Sequence, residues 1–477
     1  MKIDGGPEDT ICAVATPSGE GGIGIVRISG ADALSSASHF IHIRSGIPLS
    51  AMESHRLYLA DIVWPLHQPS QSSSTTATPI DEALVVYMKG PHSYTAEDVI
   101  EIHAHGSQAV LAKISEACLR SGCRLAAPGE FTKRAFLNGR LDLSQAEAVL
   151  DTIKATSEQS LVIAQRHLRG DLKHEVERLR SRLLAMLAHL EAGIDFVEED
   201  IEFVGREELI TVLSETASAV GAALNSSRTG RVLREGARVV IVGHPNVGKS
   251  SLLNRLLGDS RAIVTKTPGT TRDLIEETVR FDGCTLSLVD TAGLRETTDE
   301  VEREGIRRTE EAVRDADLLL VVIDATDSFQ ATEIIHSPLF RTRNPVVALN
   351  KVDLLTPDQV NNWLHSLALP EELQALPIST VTGEGLKSLR ERIKERVGLH
   401  VLEPAQAVAI TNVRHEEILL RCRDSLIKAL DSINSGMHPE CVAVDLRGAA
   451  DSLGEITGAI TSDDVLNRIF SEFCIGK

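Results

Sequence analysis

The sequence predicts an α/β multidomain chain: a strand-rich N-terminal part, then a block of long helices that an inserted α/β unit interrupts. Three observations predict it. The 477 residues amount to about three domains at roughly 100–200 residues each. Near Ser144 the apolar periodicity turns from strand-like to helical. Between Ala237 and Val397 strands and helices alternate, opening on a glycine-rich loop.

Taken in order, the first stretch holds strand-like runs at Ile23–Ile28 (after the Gly-rich Pro17–Gly22), Ala83–Met88 and Val99–His103. Gln68–Pro79 is a low-complexity Ser/Thr/Pro segment expected to be a mobile surface loop. Residues 144–225 are rich in Ala, Leu, Glu and Arg, with Leu179, Leu183, Leu187 and Leu190 at helical spacing. Strands follow at Arg238–Val242, Thr285–Asp290, Leu318–Asp324 and Val346–Asn350. Residues 405–477 are helical again and too few for a large core alone, so they are expected to pack on the earlier helices. The expected divisions are 1–122, 123–234 and 401–477 (the two helical parts flanking the insert), and 235–400 for the insert.

Composition narrows the class. With 42% hydrophobic and 25% charged residues the chain is globular, and no apolar run approaches the roughly 18 residues of a membrane span. The N-terminus MKIDGGPEDT has neither a secretory apolar region nor an Arg-rich transit pattern. Seven thinly spread cysteines fit reduced thiols in a cytoplasmic protein. Lys and Arg number 49 against 68 Asp and Glu, a net charge of −19. That balance argues against holding nucleic acid through bulk charge, though not through a local basic surface.

The chemistry concentrates in the insert. Gly243–Ser250 reads GHPNVGKS after the apolar VVIV, matching G-x-x-x-x-G-K-[ST]. Its glycines let backbone N–H groups turn toward phosphate oxygens. Asn246, Val247, Gly248, Lys249, Ser250 and Ser251 therefore become phosphate-site candidates, with Lys249 on the β/γ-phosphates and Ser250 on Mg²⁺. Thr271, in Gly269–Asp273 (GTTRD), can sense the γ-phosphate and the metal. Asp290-Thr291-Ala292-Gly293 offers a carboxylate behind the metal and a backbone N–H at the γ-phosphate. In Asn350-Lys351-Val352-Asp353 the Asp353 carboxylate can accept from guanine N1 and N2, donors that adenine lacks. Ser379-Thr380-Val381 stands where a backbone amide meets guanine O6. The series resembles the G motifs of translation-factor-related GTPases, which makes the nucleotide guanine.

Hydrolysis needs another device than the Ras one, because Leu294 occupies the place of the water-orienting glutamine. Asn246 is either plain loop structure or a ligand for a monovalent cation. A K⁺ beside the phosphates would supply charge to the transition state, with Thr265–Thr271 closing over it. Water-positioning candidates are the carboxylates of Arg295–Glu304.

Five further stretches extend the resemblance to essentially the whole chain: Asp9-Thr10-Ile11 with Ala15-Thr16-Pro17, GGIGIVRISG, SYTAEDVIEIHAHG, PGEFTKRAFLNGRLDLSQAEAV, and the terminal CIGK. With these the chain resembles the tRNA modification GTPases of the MnmE/TrmE family. The resemblance implies an α+β tetrahydrofolate-binding-like N-terminal domain, a helical domain and an inserted Ras-like P-loop GTPase domain, in a homodimer. It implies work with an FAD-containing GidA-family partner, adding an aminomethyl or carboxymethylaminomethyl group at C5 of the tRNA wobble uridine from a one-carbon folate such as 5-formyltetrahydrofolate. GTP hydrolysis would depend on K⁺ and on pairing of G domains. Residue by residue, Asn246, Thr265, Thr267 and Thr270 match the K⁺ site, Ser250 and Thr271 the Mg²⁺ ligands, and Glu302 the glutamate orienting the attacking water. Arg27, Glu101, Arg140 and Lys477 match folate contacts, and Cys474 a cysteine tied to modification chemistry. Arg140 stands where lysine also occurs, and Glu20 where an arginine is often seen. Lys133, Arg134, Arg140, Arg166, Arg169, Lys173, Arg178, Arg180 and Arg182 are candidate tRNA phosphate contacts. The alternative is an RNA-binding or ribosome-assembly switch GTPase of the Era type without modification chemistry, although no KH-like GxxG segment in a basic setting follows the insert.

Overall fold

A computed structural model describes residues 9–65, 78–155, 157–195, 205–258, 276–281, 284–290, 314, 316–327, 345–366, 373, 375–398 and 410–477. Most of the expected loop Gln68–Pro79 lies outside them. The chain divides into two compact units, Met1–Leu150 with Thr457–Lys477, and Asp151–Ile456.

The first unit is built on β1 (Ile11–Val14), β2 (Gly21–Ser29), α1 (Ala33–Ala37), β3 (Ile41–Ile43), β4 (Leu57–Val63), β5 (Pro79–Met88), β6 (Val99–Gly106), α2 (Gln108–Arg120), β7 (Arg124–Leu125), α3 (Glu130–Leu137) and α4 (Leu143–Lys154). The strands form one sheet in the order β3-β4-β5-β6-β2-β1-β7, antiparallel except where β7 joins β1. Alternation explains why one face is core. Val26 and Ile28 on β2, Ile100 and Ile102 on β6 and Val85 on β5 are buried together with Ile114, Ala117 and Cys118 of α2. The intervening residues Arg27, Glu101 and His103 take the other face, with Arg27 directly opposite Glu101 in the register. The C-terminal helix Asp463–Ser471 joins this unit, its Leu466 and Phe470, with Phe473 beyond it, packing with Leu143, Ala146 and Leu150. Burial of those side chains at ~1.5–3 kcal/mol each is what holds the tail here.

The second unit contains the helices α5 (Glu158–Arg169), α6 (Asp171–Asp195) and α7 (Arg206–Glu235). Then come β8 (Ala237–Val242), α8 (Lys249–Gly258), β9 (Glu276–Phe281), β10 (Cys284–Asp290), β11 (Leu318–Asp324), β12 (Val346–Asn350), α9 (Pro357–Ser366), β13 (Leu376–Pro377), α10 (Leu386–Val397), α11 (Val413–Asn434) and α12 (Pro439–Thr457). The expected strand runs all appear. The sheet order is β13-β12-β11-β8-β10-β9, parallel except for β9. β11 and β12 are buried at every position, as continuous apolar strands covered on both faces are. Leu179, Leu183 and Leu187 of α6 share a core with Leu213 and Val220 of α7 and with Ile418, Cys422, Leu426, Leu446 and Leu453 from after the insert. The expected packing of the late helices on the early ones therefore holds: α11 and α12 share a core with α6 and α7, and the last helix packs on α4 in the first unit.

Candidate functional site

In an open parallel sheet the strand C-termini converge on one edge, where ligands bind. The motifs collect there: β8 runs into the Gly243–Ser250 loop, β10 ends at Asp290, β11 at Asp324, β12 at Asn350, and β13 leads to Ser379. The loop is tight. Asn246 takes a left-handed φ of 66°, uncommon for a non-glycine residue, and is exposed. Gly248, at φ 98°, sits so close to Asn350 that a Cβ would lie 2.3 Å from its Nδ2. Lys249 is buried, its Nζ donating to the carbonyls of Gly243 at 3.1 Å and His244 at 3.2 Å. The ammonium is thereby folded over the loop. Ser250 and Ser251 are exposed in the first turn of α8, and an accessible hydroxyl oxygen suits a hard cation such as Mg²⁺.

At the base end, Asn350 is fully buried and hydrogen-bonded at both ends of its amide. Its Nδ2 donates to Val247 O at 2.8 Å and its Oδ1 accepts from Thr380 N at 3.1 Å, so it ties the phosphate loop to the Ser379–Val381 loop. Buried Ser379 accepts from the N–H groups of Val381 and Thr382 through Oγ. Asp353, in the short 3₁₀ turn Val352–Leu354, stays exposed, leaving both oxygens for a base edge. Thr265, Thr267, Thr270, Thr271, Thr291, Ala292, Gly293 and Glu302 lie outside the described residues.

The first unit brings together residues far apart in sequence. Arg27 Nε donates to Glu101 Oε1 at 2.7 Å, while its Nη1 donates to Gly476 O at 3.3 Å. His103 Nε2 is 3.3 Å from the other Glu101 oxygen. The Arg27 guanidinium lies 5.5 Å from the ring centroids of both Tyr94 and Phe131, and Arg140 stacks 5.1 Å over Tyr94 and donates to its carbonyl at 2.9 Å. Burial pushes the Tyr94 phenol above its usual range; its bond with Thr132 and the charges of Arg27 and Arg140 only partly offset this. The tail is seated rather than loose. Gly476 (φ 97°) presses on Val14 O, where a Cβ would come within 2.3 Å, and Gly129 N donates to Cys474 O at 3.4 Å. Burial and then repulsion from Arg27 lower the Lys477 ammonium below the usual lysine range, against the pull of Glu101 and Cys474. Cys474 itself is exposed. Two guanidiniums thus stand over aromatic faces, with the Glu101 carboxylate and the Lys477 ammonium beside them.

These geometries can be set beside known proteins. Residues 10–140 match the model of the GTP-binding protein TrmE N-terminus, and residues 143–474 that of the MnmE helical domain. The chain belongs to the MnmE family of tRNA modification GTPases. The tRNA modification GTPase MnmE of Symbiobacterium thermophilum is 46% identical over 98% of this chain and 100% of its own length. That of Heliobacterium modesticaldum is 46% identical over 98% and 99%. Among solved structures, the G domain of the T. maritima FeoB iron transporter is 26% identical and covers 34% of this chain and 98% of its own, with a TM-score of 0.26. The chain is thus a GTP hydrolase that acts in tRNA modification, and GTP with Mg²⁺ is the pairing this family implies. Among the described residues no helix is long and apolar enough to cross a membrane.

One of the basic residues proposed as tRNA contacts is committed inside the protein, and others form ion pairs on its surface. Arg134 is a correction: its side chain is only 8% exposed and is ringed by Asp9, Glu97 and Glu130 at 2.6, 3.2 and 3.1 Å. It clamps α3 to the start of β1. Arg178 pairs with Glu175, Arg182 with Glu215 and Arg166 with Asp171, all on the surface. Sequence reasoning also missed Tyr94, Phe131 and Asp324. The first two stand in quoted motifs, but the Arg27 they flank is remote in sequence, so no local signal marks them.

Proposed function

We propose that this GTPase, as a homodimer working in the cytoplasm with an FAD-containing partner of the GidA family, adds a (carboxymethyl)aminomethyl group at C5 of the tRNA wobble uridine, using a one-carbon unit from a folate. The observation that carries the reading is the meeting of Arg27, Glu101, Arg140 and the Gly476–Lys477 tail in one unit, bridged by the Arg27–Gly476 hydrogen bond at 3.3 Å. A generic switch GTPase has no use for such a site. In this reading 1–122 is the folate-binding part, 123–234 and 401–477 form the helical domain, and 235–400 is the inserted G domain.

Each side chain then has a task. Arg27 and Arg140, stacked on Tyr94, are oriented to hold carboxylates, and Glu101 fixes the Arg27 fork while offering an acceptor to a heterocycle N–H. Lys477, half-buried beside Arg27, binds at the same place, and the exposed Cys474 is the thiol within reach of the chemistry. In the G domain Lys249 and Ser250 would hold the β/γ-phosphates and Mg²⁺, with Thr271. Asn246 would hold K⁺ with Thr265, Thr267 and Thr270, and Glu302 would orient water. The K⁺ supplies positive charge where Leu294 offers nothing.

Two measurements on the full chain test this. GTP turnover in KCl should exceed that in NaCl by at least tenfold, the order of effect of a charge supplied to a phosphoryl transition state; equal rates reject the K⁺ reading. Titration with 5-formyltetrahydrofolate should show saturable binding that Arg27→Ala abolishes. A wild-type chain that does not bind it rejects the folate reading.

A further inference from the structure

The base end of the nucleotide site contains a carboxylate that none of the motifs assigns. Asp324 closes β11 beside Asn350 in the parallel register, with its side chain 12% exposed. Oδ2 accepts from Lys351 Nζ at 2.6 Å, and Oδ1 accepts from the N–H and hydroxyl of Thr326 at 2.9 and 2.7 Å. Burial works against its charge, but the bonds from Lys351 and Thr326 outweigh it and keep the carboxyl below the usual carboxylate range.

Lys351 is itself unusual. Its backbone sits at φ 68°, a region that non-glycine residues seldom occupy without a functional reason, and its ammonium reaches back over the strand end to Asp324. Its neighbour Asn350 has both ends of its amide engaged within the protein, which fixes its side chain at the strand end. Beside it stand Asp353, which is exposed, and Lys351, whose ammonium is held by Asp324. A free lysine freezes several rotatable bonds when a ligand settles against its stem, whereas a tethered one has already been ordered.

We propose that Asp324 is a positioning residue for guanine nucleotide binding: by gripping the Lys351 ammonium it fixes that side chain as a preformed wall of the base site, while Asp353 meets the base edge. Asp324 does not touch the nucleotide and acts through Lys351.

Asp324→Asn tests this in the full chain, because it keeps the shape and the acceptor for Thr326 and removes the negative charge that faces Lys351. The expected result is a rise of about tenfold in KM for GTP and in Kd for GDP, with kcat at saturating GTP within about twofold of wild type. In a Lys351→Ala background the same substitution should add no further rise, and Asp324→Glu should recover part of the loss. An unchanged KM, or an equal tenfold rise in the Lys351→Ala background, overturns the proposal. Should Asp324→Asn fail to fold, Lys351→Met probes the same link from the other side. KM should rise with kcat preserved, and an unaltered KM again overturns it.

Discussion

Replacing Arg134 with Met would remove a buried cation and leave its volume nearly filled, so the cost should be electrostatic rather than that of a cavity. The guanidinium donates to Asp9, Glu97 and Glu130 and to the Asp9 carbonyl at 2.8 Å. Arg124 also binds Asp9 and Glu130, at 2.5 Å each. With Arg134 gone, Asp9 and Glu130 share Arg124, and Glu97 keeps the hydroxyl of Ser29. Removing one member of a buried pair costs about 3–5 kcal/mol, and the compensation from Arg124 puts the expected loss near the lower end, about 3 kcal/mol. The dependence on pH has a definite sign. The Asp9 carboxyl is held below its usual range: burial opposes this, and the bonds and charges of Arg124 and Arg134 outweigh it. The same holds for Glu130, with a further bond from the Ala127 amide. Carboxylates with depressed pKa values contribute stability above their ordinary range and lose it as pH falls through the folded values. The deficit of Arg134→Met should therefore be full at pH 7 and shrink below about pH 4. The chain has two tryptophans, and Trp64 belongs to the first unit with Lys113 and Arg120 over its ring at 4.4 and 4.9 Å. Urea titration followed by Trp64 fluorescence in a Trp363→Phe background isolates this unit. A loss under about 1 kcal/mol at pH 7, or one that does not change with pH, refutes the reasoning.

Two other substitutions probe close backbone approaches. Gly248→Ala places a methyl 2.3 Å from Asn350 Nδ2 at φ 98°. Left-handed strain of ~1–2 kcal/mol and a lost Asn350 hydrogen bond of ~1 kcal/mol predict a fall in GDP affinity of roughly 30–150-fold, read by fluorescent-nucleotide binding. Gly476→Ala meets Val14 O at 2.3 Å and should unseat the tail. It should weaken 5-formyltetrahydrofolate binding at least tenfold while leaving GTP turnover unchanged; equal binding would separate the tail from that site.

The G-domain site was legible because its residues are local to strand ends. VVIV running into GHPNVGKS specifies a strand, a turn and a helix within fourteen positions of one another (Arg238–Ser251). Its sheet follows from buried runs such as LLLVVID that tolerate no other reading. The first unit was less legible because its decisive partners are remote: Arg134 finds Asp9 125 positions away and Arg27 finds Gly476 449 away. A surface lysine or arginine and a buried one look alike in sequence when the carboxylates that neutralise them lie elsewhere in the chain. β4 escaped notice for a different reason, since Leu57 and Leu59 are exposed on the open face and blur the apolar–polar alternation. Asp324 reads as one more acid at a strand end until the left-handed turn at Lys351 brings the ammonium onto it.

The proposed function stands on the Arg27 cluster handling a one-carbon unit destined for tRNA. It is tested most directly by nucleoside analysis of tRNA from cells whose only copy of this protein carries Arg27→Ala. The account predicts that the wobble-uridine C5 substituent disappears while the purified variant still hydrolyses GTP at the wild-type rate. A full complement of modified wobble uridine in those cells would contradict it.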